Sequence, residues 1–487
     1  NDDIMTNNAT LAFDYGGRKV DTGMWPKSNL QFSPRFGFSY DVYGDKTLKI
    51  RGGTGLFSGR IPLVFFTNMP TNAGIVKGRL TKMTDSAVLS QMMQNGKLVT
   101  DRWEILNILN GIDPAKYPTT ITPETAPSPS EVAGVDPDFK MPKVWKTSIA
   151  ADYTLPVSFP LTVTAEYIFN KTINAVMLTN YNIPEDNSGW ATFNGPDARH
   201  IYPSGYTYTK VDAYVLTNTN KGYGSIATVS LNAEPVKGLD ITAAYTHTVS
   251  KEVTGMPGSN AAAAWKYIPS VDGPNYNILH NSSYNLPDRL MASVSWNDKA
   301  NNHWSLLYEG LRYASNSYIY SNDINGDGNA YDLMYIPKDE SEIRFVSEDD
   351  ATRFWEFVAQ DAYLSSHKGQ YAEAYAITQP WRNVFDFRFA HDFIIKTGNV
   401  KNTLQVSLDV QNAGNLFNSQ WGVSKSWSSD VPHDTNGNAK ILKYEGMDAD
   451  GYPTFSTMVG SGVKSWDYTH SLANCWYMQI GLRYMFN

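Results

Sequence analysis

The residues best suited to bind a cation lie in one short segment, 323–332, which reads DINGDGNAYD. Its oxygen-bearing side chains alternate along the chain, and a glycine follows the third of them. This order matches the first half of a calcium loop, because calcium takes its ligands from carboxylate, amide and carbonyl oxygens. The predicted calcium ligands are Asp323, Asn325, Asp327, Asn329 and Asp332.

The same segment has a simpler interpretation as a turn without metal. Met334 stands where an EF-hand places its bidentate glutamate, and no flanking helix is predicted. Asn, Asp and Gly are also ordinary turn residues, because they hydrogen-bond their own backbone or accept positive φ. Two other segments, 430–438 and 448–451, are rich in oxygen ligands but lack the spacing, so neither is predicted to bind metal.

The sequence contains no motif typical of nucleotide binding, of catalysis or of a Cys/His metal site. The clustered glycines Gly52, Gly53, Gly55 and Gly59 lack the spacing of a dinucleotide loop, which would need glycine at Ser58. Metalloprotease, serine-hydrolase and Cys/His metal patterns do not occur. The net charge of −8 argues against a nucleic-acid partner. We therefore predict a chain that is not an enzyme.

The elements that must position the loop are strands with strict two-residue alternation. In the last segment, one set of side chains is wholly apolar: Trp476, Met478, Ile480, Leu482, Tyr484 and Phe486. The intervening set is Tyr477, Gln479, Gly481, Arg483 and Met485. Successive side chains on a strand point to opposite faces, so this strand has one apolar and one polar face. A wall between lipid and water requires that division.

Ten further segments alternate in the same way, including 161–169, 290–296 and 404–410, although 304–314 is ambiguous in phase. Tight turns join the strands in pairs, at Tyr43–Lys46, Pro156–Pro160, Pro235–Gly238, Asn297–Asn302 and Lys396–Asn402. Long connections lie between the pairs, at about 59–144, 171–222, 250–287, 315–380 and 413–474. Outer-membrane barrels have short periplasmic turns and long extracellular loops. The sequence thus predicts an all-β, transmembrane antiparallel β-barrel of about eleven strands, in the outer membrane and in contact with its lipids.

An odd number of strands cannot close an antiparallel ring, because the two end strands would run parallel. We therefore expect a part of a larger barrel, with residues 1–30 as an extracellular loop segment and residues 31–487 as the C-terminal portion of the barrel. An N-terminal portion, on the same or another chain, is the expected partner, since open edges in lipid cost several kcal/mol per unpaired group.

The long connections contain further local signals. Helices are expected at 85–94, at 101–109, around 259–264, and after Ser347, where Asp350 completes a capping pattern. Five tyrosines near the acidic segment are interpreted as an outer aromatic girdle, with stacking on a sugar or peptide ligand as the alternative: Tyr313, Tyr318, Tyr320, Tyr331 and Tyr335. Cys475, the single cysteine, is expected to be a small buried hydrophobe.

Three segments resemble the Oar-like TonB-dependent receptors, which carry an N-terminal carboxypeptidase-regulatory-like domain. These are FSPRFGFSYDVYGDKTLKIRGGTGLFSGRIP from Phe32, NGDGNAYDLMYIP from Asn325, and VQNAGNLFNSQWG from Val410. The resemblance implies a 22-stranded barrel with a plug, energised by the TonB system through that plug, of which this chain would be the C-terminal half.

A receptor of this kind would bind a large ligand at the cell surface and move it across the outer membrane. Three alternatives stay open at the level of sequence. The chain could be a structural or assembly component that scaffolds surface lipoproteins, a passive porin, or a secreted soluble β-protein.

Overall fold

The computed structural model describes residues 13–71, 86–94, 96–115, 117, 119, 131–398 and 400–486. Its main feature is a continuous ladder of long strands, here called the wall. Within the described residues these strands are β1 (Arg35–Asp41), β2 (Leu48–Ser58), β3 (Lys143–Thr154), β4 (Leu161–Asn180), β5 (Tyr223–Val236), β6 (Leu239–Glu252), β7 (Asn285–Asn297), β8 (Asn302–Tyr320), β9 (Arg382–Thr397), β10 (Val400–Gln411) and β11 (Tyr477–Phe486).

Each strand of the wall pairs antiparallel with the next one along the chain, from β1 to β11. The short turns all lie at one end of the wall, as the sequence predicts. At the two edges, β1 pairs only with β2 and β11 only with β10 among the described residues, so the ladder is open on both sides.

The register places apolar side chains on one face of the wall and polar ones on the other. One row across β7 to β11 on the apolar face is Trp296, Trp304, Phe389, Leu408 and Ile480. The row beside it on the polar face is Ser295, Ser305, Arg388, Asp409 and Gln479. The ambiguous segment 304–314 is thereby resolved, because Trp304 and Leu306 fall on the apolar face. Most of these apolar side chains are exposed within the chain, which is the arrangement expected for contact with lipid.

The first two strands approach closely at a glycine. Gly52 lies between Phe38 and Ile149, and a Cβ atom there would stand 2.9 Å from the Phe38 ring and 2.7 Å from the carbonyl oxygen of Ser148. Of the clustered glycines, Gly52, Gly53 and Gly55 therefore serve close packing within the wall, whereas Gly59 has only ordinary contacts.

The long connections fold together at the end opposite the short turns, and we call this region the loop lobe. It comprises the described parts of 59–142, 181–222, 253–284, 321–381 and 412–476, together with the upper ends of β4 and β8. Its α-helices are α1 (Val64–Thr71), α2 (Ser86–Gln91), α3 (Arg102–Ile112), α4 (Ala261–Lys266), α5 (Glu348–Gln360), α6 (Ala362–Ser366) and α7 (Ala413–Phe417). Two 3-10 turns are Glu340–Glu342 and Leu472–Asn474. None of the described helices has the length and apolarity to cross a bilayer.

Short strands complete the lobe: Met93–Gln94, Lys97–Leu98, Glu131–Val135, Asp212–Thr219, His280–Asn281, Tyr335–Ile336, Arg344–Phe345, Gln370–Tyr371, Ile377–Thr378, Lys425–Trp427, Asn438–Met447, Pro453–Thr457 and Trp466–Tyr468. The upper end of β4 pairs with Asp212–Thr219, which pairs parallel with Glu131–Val135. The upper end of β8 pairs parallel with Asn438–Met447. The lobe is thus built on strands that continue beyond the wall.

The lobe has a packed apolar core rather than mobile linkers. Phe354 and Phe357 of α5 are fully buried with Tyr318, Tyr320 and Ile441. A second cluster gathers Phe66, Phe139, Leu178, Tyr214 and Trp265. Burial of large side chains on this scale fixes the connections in one arrangement.

The predicted helices are largely confirmed by their caps. The Ser347 hydroxyl accepts the Asp350 N–H at the start of α5, and Asp101 and Asn260 cap α3 and α4. The helix expected at 85–94 is shorter, Ser86–Gln91, and Asp85 lies outside the described residues.

Two expectations were wrong. Tyr318, Tyr320 and Tyr335 are at most 9% exposed inside the lobe core, so they do not belong to a membrane girdle. For Tyr318 and Tyr320 the cause is that β8 runs on past the wall, which carries their rings into protein rather than to the membrane surface. Tyr335 lies in the short strand after the acidic loop, which pairs with Gln370–Tyr371. Cys475 is exposed, because it follows a 3-10 turn at the rim and does not enter a strand.

Candidate functional site

The acidic loop, residues 321–334, connects the end of β8 to the strand Tyr335–Ile336. Its side-chain oxygens fold the loop onto itself. The Asp323 carboxylate accepts the N–H groups of Gly326 at 2.7 Å and Gly328 at 2.8 Å. Both glycines have positive φ, +83° and +86°, which explains why this sequence needs glycine there. The Asn325 side-chain oxygen accepts the Asp327 N–H at 2.9 Å, and Asp327 accepts the Asn329 N–H at 2.7 Å.

Three carboxylates of the acidic loop lie near enough to repel one another. Burial, with the charge of Asp323 as a smaller cause, raises the pKa of Asp327 to about 7. Burial also raises the pKa of Asp332 well above its ordinary value, and the neighbouring Asp327 and Asp323 act in the same direction. Within the described part of the chain, however, no three acidic, histidine or cysteine side chains converge closely enough to hold a metal ion. Calcium at these residues stays a prediction.

A buried arginine faces this negative charge. Arg199 has no exposed side-chain surface, and its Nε donates to Asp197 Oδ1 at 2.9 Å. One Nη donates to the Leu333 carbonyl at 2.7 Å, and the other lies 3.7 Å from Asp332 Oδ1. Burial is the largest single influence and lowers the pKa of Arg199, but the negative charges of Asp197, Tyr320 and Asp332 together outweigh it, so the pKa lies above its ordinary value. Sequence reasoning missed this pair, because Asp-Ala-Arg in a long connection carries no signal of burial.

Two tyrosines of the connection that carries Arg199 also hydrogen-bond to the backbone of the acidic loop. Tyr202 N–H donates to the Asn325 carbonyl at 2.8 Å, and the Tyr206 hydroxyl donates to the Asp327 carbonyl at 2.9 Å. Trp190 packs on Tyr202 with 4.5 Å between ring centroids. The acidic loop thus joins connections that are distant in sequence, which is a structural role whether or not it holds a cation.

The polar face of the wall carries ion pairs across neighbouring strands. Arg51 Nε lies 3.1 Å from Asp152 Oδ2 between β2 and β3, and an Nη of Arg388 lies 3.1 Å from Asp409 Oδ1 between β9 and β10. Arg289 and Glu309 form a third pair at 2.7 Å between β7 and β8. A face lined by paired charges is compatible with water or with a polar protein surface, not with lipid.

This two-faced wall has a counterpart among known families. The family described as outer membrane beta barrel domain matches residues 2–306, more than half of the 487 residues. The chain belongs to this outer-membrane β-barrel family. Its location is therefore the outer membrane, as the alternation predicts.

Three of the solved structures to which this barrel chain is similar are transporters. The outer membrane transporter YddB from Escherichia coli is 12% identical with a TM-score of 0.40, over 94% of this chain and 41% of its own. The FrpB iron transporter from Neisseria meningitidis (F3-3 variant) is 9% identical with a TM-score of 0.33, over 79% and 35%. The copper transporter OprC is 10% identical with a TM-score of 0.30, over 93% and 39%. This barrel chain spans less than half the length of each. Among curated proteins, none matches the sequence.

Proposed function

We propose that this chain forms one side of the wall of a TonB-dependent outer-membrane receptor of the Oar-like type. The receptor binds a large ligand at the cell surface and moves it across the outer membrane. The loop lobe would contact the ligand, and a plug from the N-terminal portion, on the same or another chain, would gate the lumen and engage the TonB system. A surface lipoprotein would be a further partner of the receptor.

The observation that carries the proposal is the open antiparallel wall. Its edge strands β1 and β11 run in the same direction, since ten antiparallel pairings separate them. Backbone groups left unpaired in lipid cost several kcal/mol each, so both edges require a partner strand. An antiparallel ring then needs a completing segment with an odd number of strands. A second copy in the same orientation would meet each edge in parallel, so it does not complete such a ring.

Heat-modifiable gel migration tests the completion of the wall. The chain is expressed in outer membranes alone and together with the upstream portion of the receptor. We expect the compact, detergent-resistant form only when the upstream portion is present. A compact form of the chain alone would contradict the proposal.

Uptake distinguishes transport from the alternatives. Solutes removed from the medium by wild-type cells are compared with those removed by a strain lacking the chain and by a strain lacking TonB. Solutes that remain in the medium of both mutants support the TonB-dependent receptor. Solutes spared only without the chain favour a passive porin, and no difference favours a structural component.

Calcium binding by the acidic loop is a separate proposal. It is supported by the alternating oxygens of Asp323, Asn325 and Asp327, and by the negative charge of Asp323 and Asp327, each of which contributes to the raised pKa of buried Asp332. Asn329 and Asp332 would complete the ligand set after a small closure of the loop.

A further inference from the structure

Exposed apolar side chains lie together above the outer end of β11. They come from two loop segments, one around α7 and one that leads into β11. We call this set the rim patch, and its members are Leu416, Phe417, Trp421, Leu472 and Trp476. The most exposed are Phe417 at 81% and Leu472 at 94%.

Hydrogen bonds hold the two segments of the rim patch side by side. Asn415 Nδ2 donates to the Trp421 carbonyl at 3.0 Å, and its Oδ1 accepts the Trp476 N–H at 3.2 Å. Asn412 Nδ2 donates to the Asn474 carbonyl at 2.9 Å. The patch is therefore a built surface of fixed shape.

The rim patch lies at or above the outer edge of the hydrocarbon. Strands of such walls rise about 3.3 Å per residue and tilt about 35–45°, so the stretch from Phe486 to Trp476 climbs roughly 25 Å. That height equals the apolar band of an outer-membrane barrel, about 25 Å. Trp476 thus stands at the outer interface. Leu472 precedes it by four residues, and Phe417 ends the helix whose Asn415 accepts the Trp476 N–H, so both lie at or above that level. Side chains there are at or outside the edge of the hydrocarbon, where contiguous exposed apolar surface marks a protein contact.

The open edge of β11 identifies the occupant. Any strand that pairs antiparallel with β11 runs toward the cell surface and emerges beside Trp476. We propose that the rim patch is the docking surface for the continuation of this strand beyond the membrane, and that this continuation presents apolar side chains to Phe417 and Leu472. The inference rests on the proposed function, since it assumes that a wall segment occupies the edge of β11.

Photo-crosslinking in intact outer membranes tests the inference. Benzoyl-phenylalanine is placed at Phe417 or Leu472 in the rim patch, at Ile480 on the open edge strand, or at Leu306. Leu306 is the matched control, because it is also apolar and exposed but is flanked by Val294 and Phe387 of the same wall. Each variant is first checked for the compact form on gels, and the captured peptides are identified by mass spectrometry.

We expect Ile480 to capture a strand from outside residues 13–486, and Phe417 and Leu472 to capture the residues that follow it. The Leu306 variant should give no such adduct. One outcome would overturn the inference and leave the completed wall intact. In that outcome Ile480 captures a strand, but Phe417 and Leu472 give only lipid adducts, no adducts or an unrelated polypeptide. No polypeptide captured at Ile480 would overturn both.

Discussion

Arg199 and Asp197 form an ion pair that is closed to solvent inside the loop lobe, with 2.9 Å between Nε and Oδ1. The same guanidinium also reaches the Leu333 carbonyl and faces Asp332. One side chain therefore ties the connection between β4 and β5 to the acidic loop after β8.

Replacing Arg199 with methionine should destabilise the lobe by about 3–5 kcal/mol, because it leaves buried carboxylates without their cation. Rates of proteolysis of intact cells across a urea series measure this loss. The double variant with Asp197→Asn and Arg199→Met should lose less, since one uncompensated charge is removed. Wild-type resistance in the single variant would show that the pair is dispensable.

Gly52→Ala should destabilise the wall by about 1–3 kcal/mol, since the new methyl group would overlap the Ser148 carbonyl and the Phe38 ring. The temperature at which the compact gel form is lost provides the measurement. Gly59→Ala is the matched control, because its nearest contact would be an ordinary 3.6 Å to Pro142. Equal losses in the two variants would argue against close packing at Gly52.

The pH dependence of lobe stability follows from Asp327. Its pKa in the folded state is about 7, against 3.8 for an ordinary aspartate, so the folded chain retains a proton that the unfolded chain releases. This contribution to stability is fully present below about pH 4 and is lost as the pH rises through 7. The urea midpoints of wild type and Asp327→Asn are measured in the presence of chelator at a series of pH values. The wild-type midpoint minus the variant midpoint should fall as the pH rises over this range. A difference that is flat or rises would contradict the raised pKa.

Calcium should reverse that loss above pH 7. If the acidic loop binds calcium with a Kd on the order of 0.1 mM, then 1 mM calcium stabilises the lobe by about 1.4 kcal/mol. The urea midpoint with and without calcium measures the effect, with magnesium at the same concentration as the ionic control. Asp323→Ala together with Asp327→Ala should abolish it. An unchanged wild-type midpoint would leave the loop as a metal-free turn.

The sequence predicts the wall well because lipid and water impose a two-residue period on every strand. Alternation alone identifies Trp296, Leu408 and Ile480 as members of the apolar face, whereas the phase of β8, and with it the place of Trp304, required the register of the structure. The lobe could not be predicted in the same way, since its contacts are long-range and follow no period. Nothing near Tyr318 or Tyr320 shows that β8 continues into a protein core. The local sequence around Arg199 resembles that of a surface loop. Its burial depends on partners that are distant in the sequence. The five predicted calcium ligands do lie in one loop. The spacing of these residues does not determine, however, how closely their side-chain oxygens approach one another.

The lipid contact of the apolar face is the central claim, and nitroxide scanning along β10 tests it most directly. This strand has wall neighbours on both sides, so its result does not depend on how the edges are completed. In outer-membrane vesicles, labels at Leu404, Val406 and Leu408 should collide preferentially with oxygen, which concentrates in lipid. Labels at Thr403, Gln405, Ser407 and Asp409 should collide less often with oxygen, relative to their collisions with a water-soluble nickel complex. Loss of this two-residue alternation, or nickel access on the apolar set, would contradict the account.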